Sequence, residues 1–128
     1  MLKHRVLLVD DNADVRKAVR RLFHDDPNFE VVGEAEDGRD AVENAPRLRP
    51  DLIILDLSMP VMNGLEAALL LVKILPNAGL ILFTAHGGPE IGHLSLAAGI
   101  HAVVSKATAS TELIPKAEAL MEGRLETA

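Results

Sequence analysis

The sequence predicts an α/β fold, with a five-stranded parallel sheet that carries helices on both faces. Short apolar runs rich in β-forming residues alternate with amphipathic helical patterns along the whole chain. This alternation is typical of parallel sheets with right-handed crossover connections. No internal repeat, linker or low-complexity tract interrupts it. We therefore expect residues 1–128 to form a single domain, with no room for a second domain of ordinary size.

Five segments have the composition of strands. The first and the third, Arg-Val-Leu-Leu-Val and Leu-Ile-Ile-Leu-Asp-Leu, are nearly continuous apolar runs, as strands buried on both faces require. The other three are also short runs that contain β-forming residues such as valine, isoleucine and phenylalanine. In chain order, the predicted strands are residues 5–9, 29–34, 52–57, 80–84 and 102–105.

A helical pattern follows each strand. After the first strand, apolar residues at positions 15, 18, 19, 22 and 23 form one helical face, and Asn12 can cap the helix start. Pro46 is expected to break the second helix, and Pro115 to delay or distort the start of the last one. Gly92 weakens the fourth helix by about 1 kcal/mol, and Gly123 is expected to end the fifth. The second, third and fifth predicted helices are residues 40–48, 64–75 and 113–121.

Composition and charge restrict the function classes. The chain has no cysteine, which excludes disulfides and thiolate metal sites. Its longest apolar run, residues 67–72, is too short to span a bilayer, and no signal-peptide pattern opens the chain. We therefore expect a cytoplasmic protein without a membrane partner. A net charge of −6 and the lack of a long basic stripe argue against direct nucleic-acid binding.

Charged and polar residues stand at the ends of four predicted strands. Asp10 and Asp11 follow the first, Asp56 lies near the end of the third, Thr84 ends the fourth and Lys106 follows the fifth. Open parallel sheets bind ligands beyond the carboxyl ends of their strands, so these side chains should converge. Three carboxylates close together repel one another, and a hard divalent ion such as Mg²⁺ relieves that repulsion.

Such a site could accept a phosphoryl group, because this transfer depends mainly on positioning and charge neutralisation. Asp56 would be the attacking carboxylate, and Lys106 and Mg²⁺ would stabilise the developing charge. Thr84 would donate a hydrogen bond to a phosphoryl oxygen. Each residue alone has an ordinary explanation as a turn, a cap, a strand-end hydroxyl or a surface amine. Their conjunction at four strand ends favours the phosphoacceptor site.

Four segments carry a family resemblance: Val-Leu-Leu-Val-Asp-Asp-Asn (6–12), Pro-Asp-Leu-Ile-Ile-Leu-Asp-Leu-Ser-Met-Pro-Val-Met-Asn-Gly (50–64), Phe-Thr-Ala (83–85) and Ser-Lys (105–106). Through these segments, the chain resembles the receiver domains of two-component signalling over residues 3–123. The resemblance implies a flavodoxin-like receiver fold and identifies Asp56 as the phosphoacceptor. It implies that Asp11 and Asp56 coordinate Mg²⁺ directly, that Asp10 acts mostly through water, and that the main-chain carbonyl of Ser58 is a further ligand.

The resemblance also implies a signalling switch rather than an enzyme with a separate substrate. The phosphodonor would be a phosphohistidine on a sensor kinase or a histidine phosphotransfer protein, and the receiver would assist its own phosphorylation and dephosphorylation. Two alternatives stay open. One is a pseudo-receiver that acts as an interaction module without phosphorylation. The other is an aspartyl-phosphate hydrolase, although Asn12 stands where those enzymes have a second aspartate.

One position departs from the pattern of the resembled family, and two others correspond to positions that affect phosphoryl hydrolysis in that family. Val103 replaces an aromatic residue that turns inward on phosphorylation in many receivers, so we expect the response to be confined to the loop and helix after the fourth strand. Ser58 and His86 lie two residues after Asp56 and Thr84, where side chains affect hydrolysis of the phosphoryl group. A neutral His86 could orient water, and a protonated one could hold phosphoryl oxygens.

The residue after Lys106 is Ala107, where the family often has proline. This variation is seen in receivers joined to helix-turn-helix output domains. Residues 1–128 end before such an output domain could begin. We therefore expect a single receiver domain with no output domain, either as a stand-alone protein or as the isolated receiver of a longer regulator.

Two helix surfaces complete the predictions. On the third predicted helix, Glu66 and Lys73 define the polar face, and Leu69 and Leu70 flank it as a candidate contact surface for self-association or a protein target. The basic residues of the first helix are expected to be solvated, with docking as the alternative. They are Arg16, Lys17, Arg20 and Arg21.

Overall fold

A computed structural model describes residues 2–85 and 87–127, without the side chains of residues 124–127. No helix in the described ranges has both the length and the apolar character needed to cross a membrane. The strands are β1 (His4–Val9), β2 (Phe29–Ala35), β3 (Leu52–Asp56), β4 (Gly79–Thr84) and β5 (Ala102–Ser105). The helices are α1 (Ala13–His24), α2 (Gly38–Leu48), α3 (Gly64–Ile74), α4 (Pro89–Ala97) and α5 (Ala109–Thr127), with a 3₁₀ turn (Lys106–Thr108) before the last.

The five strands form one parallel sheet in the order β2-β1-β3-β4-β5. This confirms the predicted fold class, and each predicted strand boundary lies within one residue of the observed one. The order reverses at β1, whose neighbours are β2 on one side and β3 on the other. A crevice at such a switch point is where open α/β sheets bind ligands.

The sheet is buried on both faces, as its continuous apolar strands predict. Val6 and Leu8 pack on one face with residues of α1 and α5, while Leu7 and Val9 pack on the other with residues of α2 and α3. Asn12 caps α1 as predicted, since its side chain accepts hydrogen bonds from the N–H groups of residues 14 and 15. Apolar clusters thus cover both faces of the sheet. A site built on the strand ends needs this kind of support.

The predicted break at Pro46 is wrong, because α2 runs through it to Leu48. Pro46 lies in the last turn of the helix, where a missing N–H removes only one hydrogen bond, and its side chain is exposed. The helix ends at Arg49, whose φ of 48° is left-handed and whose N–H donates to the carbonyl of Ala45. The stop is therefore a left-handed C-terminal cap rather than the proline.

The predicted start and end of the last helix are also wrong. The helix begins at Ala109, contains Pro115 in its interior and continues through Gly123 to Thr127. Residues at i, i+4 and i+8 explain why tertiary packing outweighs the proline: Leu113, Ala117 and Met121 are all buried against the sheet. Helix stability in proteins comes mainly from packing an apolar face, so a local propensity cost can be absorbed.

The predicted phase of α3 is confirmed. Ala68 and Leu71 are buried, whereas Leu69 and Leu70 are 53% and 38% exposed, and Ile74 is 39% exposed. Two exposed leucines side by side agree with a contact surface, but nothing in the described chain covers them. Their role in self-association or partner binding stays a prediction.

Replacing Leu69 and Leu70 together with lysine should change the free energy of unfolding by no more than about 1 kcal/mol, because exposed substitutions rarely do more. The matched control is Leu71→Lys, which places a charge in the core and should cost at least about 3 kcal/mol. Urea unfolding measures both. A double variant as unstable as the control would show that the two leucines belong to the core.

Candidate functional site

The carboxyl edge of the sheet brings the predicted site residues together. Asp10 directly follows β1, Asp56 is the last residue of its neighbour β3, and Thr84 is the last residue of β4. Carboxylate oxygens of Asp10, Asp11 and Asp56 lie within 4.8 Å of one another. The central strand pair β1–β3 thus places two of the three acids side by side, and the β1–α1 loop adds the third.

Lys106 reaches this acidic cluster from the end of β5. Its Nζ lies 2.8 Å from Asp10 Oδ2 and 3.2 Å from Asp56 Oδ1. The same ammonium lies 5.9 Å from the ring centre of Phe83, a cation–π distance. Both aspartate side chains are only 6% exposed, and that of Lys106 is 22% exposed. The lysine is therefore a largely buried counterion shared by two carboxylates.

The surroundings of Asp56 favour the protonated, neutral form of its carboxyl group. Burial raises the pKa of Asp56 above its ordinary value and the nearby Asp10 carboxylate raises it further, while the Lys106 ammonium opposes both effects. Burial alone would lower the pKa of Lys106, but its contacts with Asp10 and Asp56 outweigh this and raise it. One lysine therefore compensates the acidic cluster only in part.

The cluster fits a hard divalent cation. Asp10 Oδ2 is buried and touches Lys106, yet it accepts no well-directed hydrogen bond from any described residue. Asp11 is exposed at the open side of the cluster, which leaves room for water ligands. Carboxylate oxygens with several waters are the ligand set that Mg²⁺ prefers. Ser58 lies in the exposed loop directly after β3, and a metal contact through its carbonyl stays a prediction.

The loop after Asp56 is held close to its strand by Gly64. A β-carbon at Gly64 would lie 2.2 Å from the main-chain oxygen of Asp56, and its N–H donates to the carbonyl of Leu57 at 2.9 Å. Glycine is required here because the backbones approach so closely. Val61 in the same loop has a φ of 67° and is 74% exposed. Sequence reasoning could not find this strained residue, since valine disfavours positive φ.

Thr84 and Val103 are two further residues that the sequence analysis named, and both lie inside the fold. Thr84 is buried and pairs with Ser105 across β4 and β5. Val103 is half-buried and packs against the core on the α2/α3 face, so an aliphatic side chain occupies the position where many receivers have a mobile aromatic. His86 lies outside the described residues, so its predicted part in hydrolysis has no structural test.

Sequence reasoning missed one residue beside the cluster. Arg16 was expected to be a solvated side chain, but it is only 13% exposed and its Nη1 donates to the main-chain carbonyl of Asp10 at 2.6 Å. Its spacing of six residues from Asp10 gave no signal by itself. Arg16 reaches the site because it lies near the start of α1 and because Glu34 on the neighbouring strand β2 binds its guanidinium.

A doubly wound sheet with an acid-and-lysine pocket at its switch point is the architecture of a phosphoacceptor-type signalling domain. A family model described as "Response regulator receiver domain" matches residues 6–118. The chain belongs to this family. Phosphorylation-based switching is the general function of its members, and receiver domains bind Mg²⁺ at an acidic pocket of the kind formed here by the three aspartates.

Solved structures agree with this assignment. A LuxR-family two-component response regulator from Aurantimonas sp. SI85-9A1 is 32% identical with a TM-score of 0.90, over 96% of this chain and 88% of that chain. The response regulator domain of Thermotoga maritima CheB is 33% identical with a TM-score of 0.78, over 98% and 96% of the two chains.

Curated relatives include longer proteins. The chain is 34% identical to the response regulator protein VraR of Staphylococcus saprophyticus over 85% of its own length but 52% of that protein. It is 47% identical to a protein-glutamate methylesterase/protein-glutamine glutaminase of Pyrococcus abyssi over 58% of its own length and 20% of the enzyme. The chain therefore spans between a fifth and about half of these relatives, and the likeness to the methylesterase does not extend to most of that enzyme.

Proposed function

We propose that this domain is a phosphorylation-dependent switch that accepts a phosphoryl group on Asp56 from a phosphohistidine donor. The observation that carries the proposal is the convergence of three carboxylates with Lys106, at contacts of 2.8 and 3.2 Å. The donor would be a histidine kinase or a histidine phosphotransfer protein. The alternative interaction module without phosphorylation gives no reason to hold so many charges in a largely buried pocket.

The contacts favour Asp56 over Asp10 as the nucleophile. Asp10 uses Oδ1 to accept a hydrogen bond from the N–H of Asn12 and Oδ2 to pair with Lys106. Asp56 contacts Lys106 through Oδ1 at 3.2 Å, a longer contact than the 2.8 Å between Lys106 and Asp10. Asp56 can therefore attack with one oxygen while the other stays held by the lysine.

In the proposed transfer, an Asp56 oxygen forms a bond to phosphorus as the bond between phosphorus and the donor's imidazole nitrogen breaks. The electron pair of that bond stays on the imidazole nitrogen. A ring that is protonated at its other nitrogen leaves as neutral imidazole, whereas an unprotonated ring becomes neutral by taking up a proton from water. Lys106 remains charged, and its ammonium neutralises part of the negative charge on the new phosphoryl oxygens. The hydroxyl of Thr84 would donate a hydrogen bond to one of those oxygens. Bound Mg²⁺ would supply the charge that lets the anionic donor approach the acidic cluster.

Intact mass spectrometry tests this function. Incubation with Mg²⁺ and either acetyl phosphate or phosphoramidate, a small donor with an N–P bond, should add one phosphoryl group per chain. Excess chelator should suppress the gain. Asp56→Asn keeps the size of the side chain but removes the nucleophile, so it should stay unlabelled.

Equal labelling of Asp56→Asn and wild type would overturn the assignment of the phosphoacceptor. Failure of both small donors, and of a phosphorylated histidine phosphotransfer protein, would favour the interaction module instead. Repeated turnover of a phosphate ester without stoichiometric labelling would favour the hydrolase.

A further inference from the structure

Arg16 connects the start of the β1–α1 loop, which carries Asp11, to strand β2. Its guanidinium donates from Nη1 to the carbonyl of Asp10 at 2.6 Å, and from Nε to Glu34 Oε1 at 2.8 Å. The Asp10 carbonyl lies where β1 turns into the loop that carries Asp11. One side chain of α1 therefore ties the end of β1 to the outer strand β2. The sequence pattern did not predict this contact, because Arg16 stands on the face of α1 that was expected to be solvated.

Glu34 holds the Arg16 guanidinium through one oxygen and pairs with Arg20 through the other. Arg20 donates to Glu34 Oε2 from Nε at 3.0 Å and from Nη2 at 2.7 Å, so both oxygens of Glu34 are occupied by arginines. Burial raises the pKa of Glu34, but the hydrogen bonds and charges of Arg20 and Arg16 outweigh this and lower it. Glu34 is thus held as a carboxylate between two arginines. The side chain of Arg16 is 13% exposed and that of Arg20 is 47% exposed, so Arg16 is the more buried of the two arginines.

A β-bulge places Glu34 on the correct face of the sheet. The register between β1 and β2 shifts by one residue between Val6 and Leu7, so that Glu34 lies opposite Leu8. Leu8 faces α1 and α5. Without the extra residue, the side-chain alternation would put Glu34 opposite Val9, on the α2/α3 face. The irregularity in β2 therefore serves the contact with Arg16.

We propose that Arg16, oriented by Glu34, is a positioning residue of the acidic pocket. It fixes the main chain at Asp10 so that the carboxylates of Asp10 and Asp11 are held together for a divalent cation. This inference rests on the proposed function, because it takes these aspartates as the cation site. Groups that orient metal-binding residues from outside the ligand set commonly change metal affinity by 10- to 100-fold.

The sign of the effect separates positioning from simple charge. Removing a positive charge close to the cluster makes the local potential more negative, which by Coulomb's law strengthens cation binding. Loss of positioning weakens it. Arg16→Ala should therefore bind Mg²⁺ about tenfold more weakly if Arg16 positions the loop, and more tightly if it acts only as a nearby charge.

The experiment compares Mg²⁺ binding by isothermal titration calorimetry in wild type, Arg16→Ala, Arg16→Lys and Arg20→Ala. Arg20→Ala is the matched control, because it removes the same charge from the same helix and the same carboxylate but has no described contact with Asp10. It should bind Mg²⁺ as wild type does. Arg16→Lys keeps the charge but lacks the two-pronged group, so it should remain weakened. Hydrogen exchange of the metal-free protein should speed up at residues 10–13 in both Arg16 variants and not in the control.

The outcomes separate this inference from the proposed function. Wild-type or tighter Mg²⁺ binding by Arg16→Ala, with unchanged exchange at residues 10–13, would overturn the positioning role while leaving the cation site intact. Equal weakening in Arg20→Ala would also overturn it, because the effect would then follow general damage to the Glu34 cluster. If wild type itself binds no Mg²⁺, the proposed function fails, and the exchange measurement still decides whether Arg16 holds the loop.

Discussion

Replacing Lys106 with methionine is expected to destabilise the metal-free protein by about 3 kcal/mol, since removing one partner of a buried ion pair leaves the other charges uncompensated. Lys106 is the cation that the structure places between Asp10 and Asp56, at 2.8 and 3.2 Å. Methionine keeps most of the side-chain volume, so the loss of stability would come from the missing charge. Urea unfolding in the presence of chelator measures it.

The same variant should gain more stability from Mg²⁺ than wild type does. The Lys106 ammonium and a divalent cation would both be attracted to the carboxylates of Asp10 and Asp56, so removing the lysine should tighten cation binding. A ligand that binds only the folded state stabilises it more as its affinity rises. Lys73→Met is the control, because Lys73 is exposed on α3. It should change neither quantity. An equal or smaller Mg²⁺ effect in Lys106→Met would show that the cation binds away from this pair.

The positions of the candidate site were predictable because they depend on topology alone. Once five strands are recognised as parallel, their carboxyl ends must meet at one edge, and Asp10, Asp56, Thr84 and Lys106 are the residues found there. The same reasoning predicted the helix phase of α3, since Leu69 and Leu70 differ from Leu71 only in angle around the helix axis. Periodicity and strand order carry this information directly in the sequence.

The features that could not be predicted depend on contacts between distant elements. Pro115 is absorbed into α5 because buried residues of that helix pack on the sheet, and no local rule contains that packing energy. Arg16 reaches Asp10 only because a bulge turns Glu34 toward α1. Bulges leave little trace in a short strand sequence. The site residues could be found from the strand ends in the sequence, whereas Arg16 could be found only from its contacts in the folded structure.

Asp56→Asn should be more stable than wild type at neutral pH in the absence of metal. Burial and the Asp10 carboxylate raise the pKa of Asp56 above its ordinary value of 3.8, so ionised Asp56 costs the folded state free energy. A raised carboxyl pKa means that the folded protein binds the proton more tightly than the unfolded chain does. Wild type should therefore recover this cost as the pH falls through the folded-state pKa of Asp56 toward 3.8.

The expected result is a stabilisation of about 1 kcal/mol at pH 7, within the range that single stabilising substitutions commonly reach. This stabilisation should shrink as the pH falls and also as Mg²⁺ is added. Both trends follow from the same cause, because a proton and a divalent cation each neutralise the acidic cluster that asparagine relieves permanently. Thermal unfolding of Asp56→Asn and wild type between neutral and mildly acid pH measures the difference. Glu36→Gln removes one negative charge from an exposed position and serves as the control, with a difference that should not depend on Mg²⁺. If the advantage of Asp56→Asn grew on acidification, Asp56 would be a stabilising carboxylate, and the repulsion that explains both its reactivity and the need for a cation would be absent.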